Sequence, residues 1–271
     1  MELIKNQLPL NADEIQKQLK NKLIAKKIYA FGQLASTNDF AKRLAQTGED
    51  EGCLVISDEQ TKGRGRWGRR WESPPGKGLW FSLILRPKVS MEKAGVVSLL
   101  AGLSVAQAVE KITRLTPILK WPNDVLINSK KFCGVLIESE GESDKLSFLV
   151  LGIGINVNQS VLDFSDALQT HATSLRIESK VPINRIDLLV EVLQYLEKNY
   201  LGFKSGNFSN ILNEWKKRSP HLNKKVMVKQ NKLELEGLFE DLDEDGRLLL
   251  RLANGEITKI SEGETTFVER K

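Results

Sequence analysis

The chain has 271 residues, with 40 lysines and arginines against 35 aspartates and glutamates, so its net charge is +5. This length predicts one large domain with a smaller one. The mildly basic charge suits anionic substrates or an acidic partner, but it is too small for a dedicated nucleic-acid-binding protein. The chain has two cysteines and two histidines. Two cysteines cannot form a disulfide framework, which indicates a reducing compartment such as the cytoplasm. Two histidines argue against a His-based metal site or a Ser/His triad.

The first ninety residues predict two helices and two strands. Asn11 followed by Glu14 is typical of a helix start, so residues 12–20 are expected to be helical. Three good N-cap residue types at 36–38 precede an expected helix over 39–46. The expected strands cover residues 54–57 and 79–85.

The middle of the chain predicts one long helix among short strands. Residues 91–112 repeat apolar side chains at helical spacing and form the expected central helix. Its most apolar stretch, 96–109, is too short to span a bilayer, and the N-terminus has no apolar segment of signal-peptide length, so no membrane contact is expected. The other expected elements are strands over 118–120, 125–127, 131–138 and 146–156, a turn at 141–144, and helices over 185–201 and 208–217.

The pattern changes after Ser219-Pro220, where short alternating segments are separated by Asp245-Gly246 and Asn254-Gly255 turns. These segments predict a small β-barrel. We therefore expect an α+β protein, with a mixed β-sheet and helices packed on one face in residues 1–220 and the barrel in residues 221–271. The expected barrel strands cover 224–228, 233–239, 248–252, 257–260 and 265–268.

The loop over 61–78 is long, rich in glycine and basic, and such loops are often functional. Its centre reads Gly63-Arg64-Gly65-Arg66-Trp67-Gly68-Arg69-Arg70-Trp71. Glycines let a ligand approach the backbone, arginines suit phosphate, and tryptophans can cover a ring, so the loop suits a flap over a phosphate-bearing anion. A solvated basic loop or a nucleic-acid patch is the alternative interpretation. Neither a P-loop nor a GxGxxG turn opening a helix is present.

Three other motifs are weaker when each is taken alone. Lys120-Trp121-Pro122-Asn123-Asp124, with Lys131 across an expected hairpin, supplies cations for phosphoryl oxygens and a carboxylate for a metal or a proton; a surface turn is the alternative. Gly152-Ile153-Gly154-Ile155-Asn156 indicates either close approach of a ligand or a bulge. Ser36-Thr37-Asn38 either caps a helix or lies at an anion site, and both roles are compatible.

In combination and in this order, the motifs resemble those of the biotin–protein ligases. The matching positions are 36–38, Gln60, Gly63 to Arg69, Trp71, Lys120 to Asp124, Lys131, Gly134, and Gly152-x-Gly154-x-Asn156. The resemblance extends over essentially the whole chain, although the C-terminal part matches by its strand pattern only. It implies a class II synthetase-like catalytic domain followed by an SH3-like β-barrel.

The resemblance also implies a two-step reaction. Enzymes of this family join the biotin carboxylate to the α-phosphate of MgATP, which gives biotinyl-5′-adenylate and pyrophosphate. They then transfer biotin to a lysine of a biotin carboxyl carrier domain and release AMP. The expected substrates are thus biotin and ATP, the expected metal is Mg²⁺, and the expected partner is the carrier protein.

By similarity, the matching positions divide into three sets. The catalytic residues are Lys131, Arg66 and Asp124, and Asp124 is also the candidate metal ligand. The biotin-binding residues are Ser36, Thr37, Asn38, Gln60, Arg64, Gly65, Arg66, Lys131 and Gly134. The ATP-binding residues are Arg64, Arg66, Arg69, Trp71, Lys120, Asn123 and Asn156.

Three alternatives remain open on the sequence alone: a lipoate–protein ligase with the same fold and chemistry, a basic nucleic-acid-binding regulator, and a carrier-binding scaffold without catalysis. About 35 residues precede Ser36, too few for the winged-helix DNA-binding domain of bifunctional family members. We therefore expect a single-function enzyme that does not bind DNA. Both a monomer and a homodimer are compatible with the sequence.

Overall fold

The protein is described by a computed structural model that covers residues 10–142, 145–230 and 233–268. Its helices are α1 (Ala12–Gln18), α2 (Thr37–Gln46), α3 (Ala94–Thr113), α4 (Asp166–Gln169), α5 (Leu175–Ser179), α6 (Arg185–Lys204) and α7 (Phe208–Lys216). The strands of the first part are β1 (Ile28–Leu34), β2 (Leu54–Gln60), β3 (Gly78–Leu85), β4 (Ile118–Lys120), β5 (Asp124–Ile127), β6 (Lys130–Glu142) and β7 (Lys145–Asn156). The C-terminal strands are β8 (Lys225–Gln230), β9 (Leu233–Leu242), β10 (Leu248–Arg251), β11 (Ile257–Ile260) and β12 (Glu264–Phe267).

The first seven strands form one mixed sheet in the order β1-β2-β3-β7-β6-β5-β4. Strands β1 and β2 are parallel, and every other neighbouring pair is antiparallel. The predicted mixed sheet and the α+β class are thus confirmed.

The sheet has helices on both faces, as the alternation of side chains along β7 shows. Leu149 and Leu151 belong to the main core with α3, α6 and α7, whereas Val150 packs with Ala41 and Ala45 of α2, because successive side chains of a strand point to opposite faces. The expected packing of helices on one face therefore holds for the two 20-residue helices. The short helix α2 covers the opposite face.

Helix α3 is the centre of the main core. The segment Met91–Thr113 is long and apolar enough to cross a membrane by length and composition, but 67% of its most apolar window is buried inside the fold. Its side chains pack on β6 and on α6 and α7. This burial confirms the expected central helix, which begins with a 3-10 turn at Met91–Lys93.

The C-terminal strands form a five-stranded antiparallel sheet in the order β11-β10-β9-β8-β12. This sheet lies against the connection between β4 and β5: the indole Nε1 of Trp121 donates to the Gly246 carbonyl (3.0 Å), and the Thr265 hydroxyl donates to the Trp121 carbonyl (2.9 Å). The division of the chain at residue 220 remains a prediction.

Three features differ from the expectations. Strand β1 was not expected, because its residues, none of which is fully buried, show no apolar–polar alternation. The short helices α4 and α5, with a 3-10 turn at Val161–Asp163, were also missed, since none is long enough to show a helical period. The expected turn at 141–144 is wrong at residues 141–142, which belong to β6, and residues 143–144 lie outside the described residues.

Candidate active site

A cavity of about 470 Å³ opens on the face of the large sheet that carries α2. Every site residue expected from the sequence lines it: Ser36, Thr37, Asn38, Gln60, Arg64, Gly65, Arg66, Arg69, Trp71, Lys120, Asn123, Asp124, Lys131, Gly134 and Asn156. The motifs therefore converge on one place, although they come from widely separated parts of the chain. Their individual roles remain predictions.

Three glycines form a flat floor to the cavity. A Cβ atom on Gly152 would lie 2.1 Å from Oδ1 of Asn38, and one on Gly154 would lie 2.6 Å from Nε1 of Trp71. Gly134, which pairs with Gly154 in the neighbouring strand, has the Lys131 side chain 3.0 Å from its Cβ position. No larger residue fits at Gly152 or Gly154 unless the neighbouring side chain moves, which explains the glycine motif.

The basic loop folds over the cavity as an irregular hairpin. Its backbone is held by hydrogen bonds from Gly65 N–H to the Arg69 carbonyl (2.7 Å) and from Trp71 N–H to the Gly63 carbonyl (2.9 Å). Trp67 and Gly68 at the tip both have positive φ angles, 55° and 72°, a conformation that glycine adopts readily and tryptophan seldom.

One end of the cavity is a polar wall that starts at the N-terminus of α2. Ser36 caps this helix, accepting from the Asp39 N–H at 3.3 Å. Oε1 of Gln60 accepts from the Thr37 backbone N–H at 2.8 Å. The Ser82 hydroxyl, 0% exposed, contacts both Thr37 Oγ1 (2.8 Å) and Asn38 Oδ1 (2.6 Å). Ser82 and Asn38 are thereby held in fixed positions next to the floor.

Arg64 is anchored by two carboxylates that the sequence motifs did not reveal. Its guanidinium lies 2.6 Å from Oδ1 of Asp39 and donates to both oxygens of Glu138 at 2.9 and 3.0 Å. The hydrogen bond to Asp39 raises the pKa of the Arg64 guanidinium above its usual value. Arg64 therefore keeps its charge, with part of its hydrogen-bonding capacity already used.

Two further arginines join the loop to the C-terminal sheet. Arg66 donates to the Gly263 carbonyl (3.0 Å), and Arg69 pairs with Glu264, which itself lines the cavity. The hydrogen bond from Arg69 lowers the pKa of Glu264, whereas burial lowers the pKa of Arg66. Both guanidinium groups also lie against the Trp67 ring, at 4.4 and 5.2 Å from its centroid. The C-terminal sheet thus contributes directly to the cavity.

Lys131 presents its ammonium group inside the cavity. Nζ lies 2.5 Å from Oδ1 of Asp124 and 5.2 Å from the centre of the Trp71 ring. The strand that carries Lys131 is fixed from outside by the His171 carbonyl, which accepts from the Lys131 N–H (2.8 Å). A positive charge is therefore held between a carboxylate and an aromatic face.

The remaining predicted residues lie around the turn between β4 and β5 and at the end of β7. Lys120 and Asp124 are register partners at this turn, and Asn123 donates to the Val135 carbonyl (2.8 Å). The Asn156 amide donates to the Thr173 carbonyl (3.1 Å) and accepts from Gln159 (3.0 Å). These bonds give Asn156 a structural role at the cavity wall.

Several lining residues were missed by sequence reasoning. They are Phe164, Leu168 and Ala172, which cover the cavity with apolar surface, the neighbouring His171, and the acidic residue Glu264. The apolar residues come from the short helical segment after β7, which shows no period that could have marked it. Glu264 belongs to a barrel-like strand pattern that gave no hint of a site.

A divalent metal would find one carboxylate at the centre of this site, Asp124. Within residues 10–142, 145–230 and 233–268, no group of three or more His, Cys, Asp or Glu side chains is arranged to hold a metal ion. These residues fit a Mg²⁺ ion that is bound together with ATP, because such an ion is held mainly by phosphate oxygens and water and needs only one or two carboxylates from the protein.

Comparison with known proteins agrees with this geometry. The model of the biotin/lipoate A/B protein ligase family matches residues 30–156, and that of the biotin protein ligase C-terminal domain matches residues 221–267. The bifunctional ligase/repressor BirA of Bacillus subtilis is 36% identical over 253 residues, which are 93% of this chain and 78% of that protein.

Two other relatives cover nearly their whole length. The biotin–[acetyl-CoA-carboxylase] ligase of Paracoccus denitrificans is 31% identical over 80% of this chain and 90% of its own length. The biotin protein ligase from Aquifex aeolicus, solved in complex with biotin and ATP, is 32% identical, covers 89% of this chain and 98% of its own, and superposes with a TM-score of 0.76. With its cavity residues, its two matched domains and these relatives, the chain belongs to the biotin protein ligases of the biotin/lipoate protein ligase family.

Proposed function

We propose that this protein is an ATP-dependent biotin–protein ligase that forms biotinyl-5′-adenylate and then transfers biotin to a lysine of a biotin carboxyl carrier domain. The observation that carries this proposal is the position of Lys131, whose ammonium group lies inside a cavity that is also lined by Arg64, Arg66 and Arg69. Two anions must meet in the first step, and their repulsion is reduced only if cations stand at the reacting centre.

In the first step, a carboxylate oxygen of biotin attacks the α-phosphorus of ATP. The bond from the α-phosphorus to the bridging oxygen of the β-phosphate breaks, and pyrophosphate leaves. Lys131 bridges the biotin carboxylate and the α-phosphate, while Arg64, Gly65 and Arg66 hold biotin and the adenylate phosphate, and Arg69 supports the triphosphate. Charge accumulates on the phosphoryl oxygens in the transition state, so fixed cations accelerate the step.

The biotin ring system binds at the polar wall formed by Ser36, Thr37, Asn38 and Gln60, with Gly134 in the floor. The nucleotide lies on the side of Trp71, Lys120, Asn123 and Asn156, where the apolar side chains of Phe164 and Leu168 suit a base. Asp124 would hold a Mg²⁺ ion bound together with ATP, and that ion would supply positive charge to neutralise the phosphates.

The mixed anhydride must be protected from water until the carrier arrives. The hairpin of the basic loop closes one side of the cavity, and Arg66 and Arg69 tie it to Gly263, directly before β12, and to Glu264, the first residue of β12. We assign the loop and this sheet the joint task of excluding water from the adenylate.

In the second step, the neutral ε-amine of the carrier lysine attacks the carbonyl carbon of biotinyl-5′-adenylate. The bond from that carbon to the phosphate oxygen breaks, AMP leaves, and the nitrogen loses one proton. Asp124 is placed to orient the amine or to accept this proton, because only an unprotonated amine is a nucleophile. The macromolecular partner is thus a carrier protein, and the reaction fits the cytoplasm.

The experiment is transfer of biotin to a biotin carboxyl carrier domain, read by mass spectrometry, with a carrier whose acceptor lysine is replaced by arginine as the control. We expect one biotin on the normal carrier, none on the control, and AMP as the co-product. Preformed biotinyl-5′-adenylate separates the steps: Asp124→Asn slows transfer from it by roughly 100-fold or more if Asp124 acts on the amine. Unchanged transfer in this variant would remove Asp124 from the second step, and an unmodified carrier would refute the function.

A further inference from the structure

The polar wall of the cavity contains a chain of four oxygen atoms in contact, and this chain has one hydrogen-bonding proton fewer than it has contacts. Gln60 Oε1 lies 3.0 Å from Thr37 Oγ1, which lies 2.8 Å from Ser82 Oγ, which lies 2.6 Å from Asn38 Oδ1. The two ends of this chain are amide carbonyl oxygens, which only accept. The two hydroxyls between them supply one proton each, so two protons serve three contacts.

Neither end of the chain can reverse its polarity. The Asn38 amide donates through Nδ2 to Oε2 of Glu138 at 2.7 Å, and a carboxylate accepts only, so the carbonyl must face Ser82. The Gln60 carbonyl is held by the backbone N–H of Thr37 at 2.8 Å. The deficit of one proton is therefore built into the wall and is not removed by turning an amide.

The distances decide where the two protons lie. Two oxygens at 2.6 or 2.8 Å repel each other strongly without a proton between them, and a separation of 3.0 Å is the least costly place for the deficit. Ser82 therefore donates to Asn38, and Thr37 donates to Ser82. Thr37 lines the cavity, and its oxygen then faces a ligand with free lone pairs and no proton to offer.

We propose that Glu138, acting through Asn38 and Ser82, holds the Thr37 hydroxyl as a hydrogen-bond acceptor, so that this wall selects a ligand with an N–H donor. Glu138 and Ser82 are positioning residues, since Ser82 lies behind the cavity surface with no exposed area. This inference rests on the proposed function, in which the biotin ring binds here. The ureido group of biotin carries two N–H donors and the dithiolane ring of lipoate carries none, so the device separates the two substrates for which the family is named.

Glu138 and Asp39 make a matched pair for the test, because both hold Arg64 and only Glu138 contacts Asn38. In Glu138→Gln the new side chain can donate to the Asn38 carbonyl, which lets the Asn38 amide turn and donate to Ser82. Ser82 then donates to Thr37, whose own proton is no longer held by Ser82 and can point either to Gln60 Oε1, 3.0 Å away, or to an acceptor oxygen of a ligand. In Asp39→Asn the pairing of Arg64 changes but the polarity of the chain does not.

The probes are biotin and its two cyclic carbamate analogues, in which one ureido N–H is replaced by oxygen at nearly constant shape. For each protein, kcat/KM for ligand-dependent exchange of pyrophosphate into ATP gives the ratio of biotin to analogue. We expect the ratio for at least one analogue to fall about tenfold or more in Glu138→Gln and to stay within about twofold in Asp39→Asn. A similar fall is expected in Ser82→Ala, where adding Glu138→Gln changes the ratio no further because the connection is already cut.

The assignment would be overturned if the ratio of biotin to analogue were equal in the wild type, Glu138→Gln and Ser82→Ala. It would also be overturned if Glu138→Gln lowered this ratio as much in the Ser82→Ala background as it does in the wild type. If Glu138→Gln fails to fold, judged by circular dichroism, the single Ser82→Ala variant decides by the same ratio. A wild-type protein that exchanges pyrophosphate with biotin but shows no preference over either analogue refutes this inference alone. A wild type inactive with biotin refutes the proposed function, and this inference with it.

Discussion

Replacing Gly154 by alanine tests whether the flat floor is needed for catalysis. The new Cβ would lie 2.6 Å from Nε1 of Trp71, whereas an ordinary contact begins at 3.4 Å, so the indole must move by about 0.8 Å. Trp71 packs edge-on against Trp80 and carries the Lys131 ammonium above its ring. We expect this displacement to cost about 1–3 kcal/mol of unfolding free energy and, by misplacing Lys131, to lower kcat/KM for pyrophosphate exchange by about 100-fold.

Two other glycines provide matched controls. A Cβ on Gly32 or Gly202 meets no atom within 4 Å, so the same substitution there leaves the cavity undisturbed. Gly202 lies inside α6, where alanine is expected to stabilise the helix by up to about 1 kcal/mol. Stability is read from urea unfolding and activity from steady-state kinetics. Exchange by Gly154→Ala within twofold of these controls would refute the reasoning about the floor.

Two further predictions concern Lys131 and His221. Lys131→Met keeps the apolar stem of the side chain and removes its charge, so the rate of pyrophosphate exchange should fall by about 100- to 1000-fold. If the double variant Lys131→Met with Asp124→Asn regained the full wild-type rate, the lysine would only neutralise Asp124. Burial, with the charge of Lys120, lowers the pKa of His221 from 6.5 to about 4, so the folded protein binds fewer protons than the unfolded chain between these values. The stability from His221 is present above pH 6.5 and falls by up to about 3 kcal/mol as the pH drops to 4. Urea unfolding at pH 7 and pH 4 should show this extra loss relative to His221→Gln, and equal losses in the two proteins would contradict it.

The cavity lining could be predicted from the sequence because its key residues lie in short motifs with strong local constraints. The glycines at 152 and 154 and the loop at 63–71 stand out by composition, and all the residues expected from them line one cavity. The long apolar helix and the paired strands were predicted for a similar reason, since their side chains repeat at a regular period.

The missed parts of the site depend on contacts between distant positions. Glu138 meets Asn38 across 100 positions of sequence, and Arg69 meets Glu264 across 195. Nothing near these acidic residues marks them, because a carboxylate on a strand is ordinarily a solvated side chain. Ser82 is hidden in an otherwise apolar strand, where its hydroxyl gains meaning only from Thr37 and Asn38.

The position of α2 on the opposite face of the sheet was likewise beyond the sequence. Its apolar residues predict one buried side but not which face of the sheet receives it. That choice follows from the alternation in β7, where Val150 and the floor glycines share a face. Placing α2 there brings Ser36, Thr37 and Asn38 to the edge of the floor.

The central claim is that the cavity joins biotin to ATP, and ligand-dependent exchange of labelled pyrophosphate into ATP by the wild-type protein tests it most directly. The assay needs no carrier, so it reads formation of the adenylate alone. We expect rapid exchange with biotin and none above background with lipoate. Exchange with lipoate and none with biotin would show that the other substrate of the family occupies the site, and exchange with neither would contradict adenylate formation altogether.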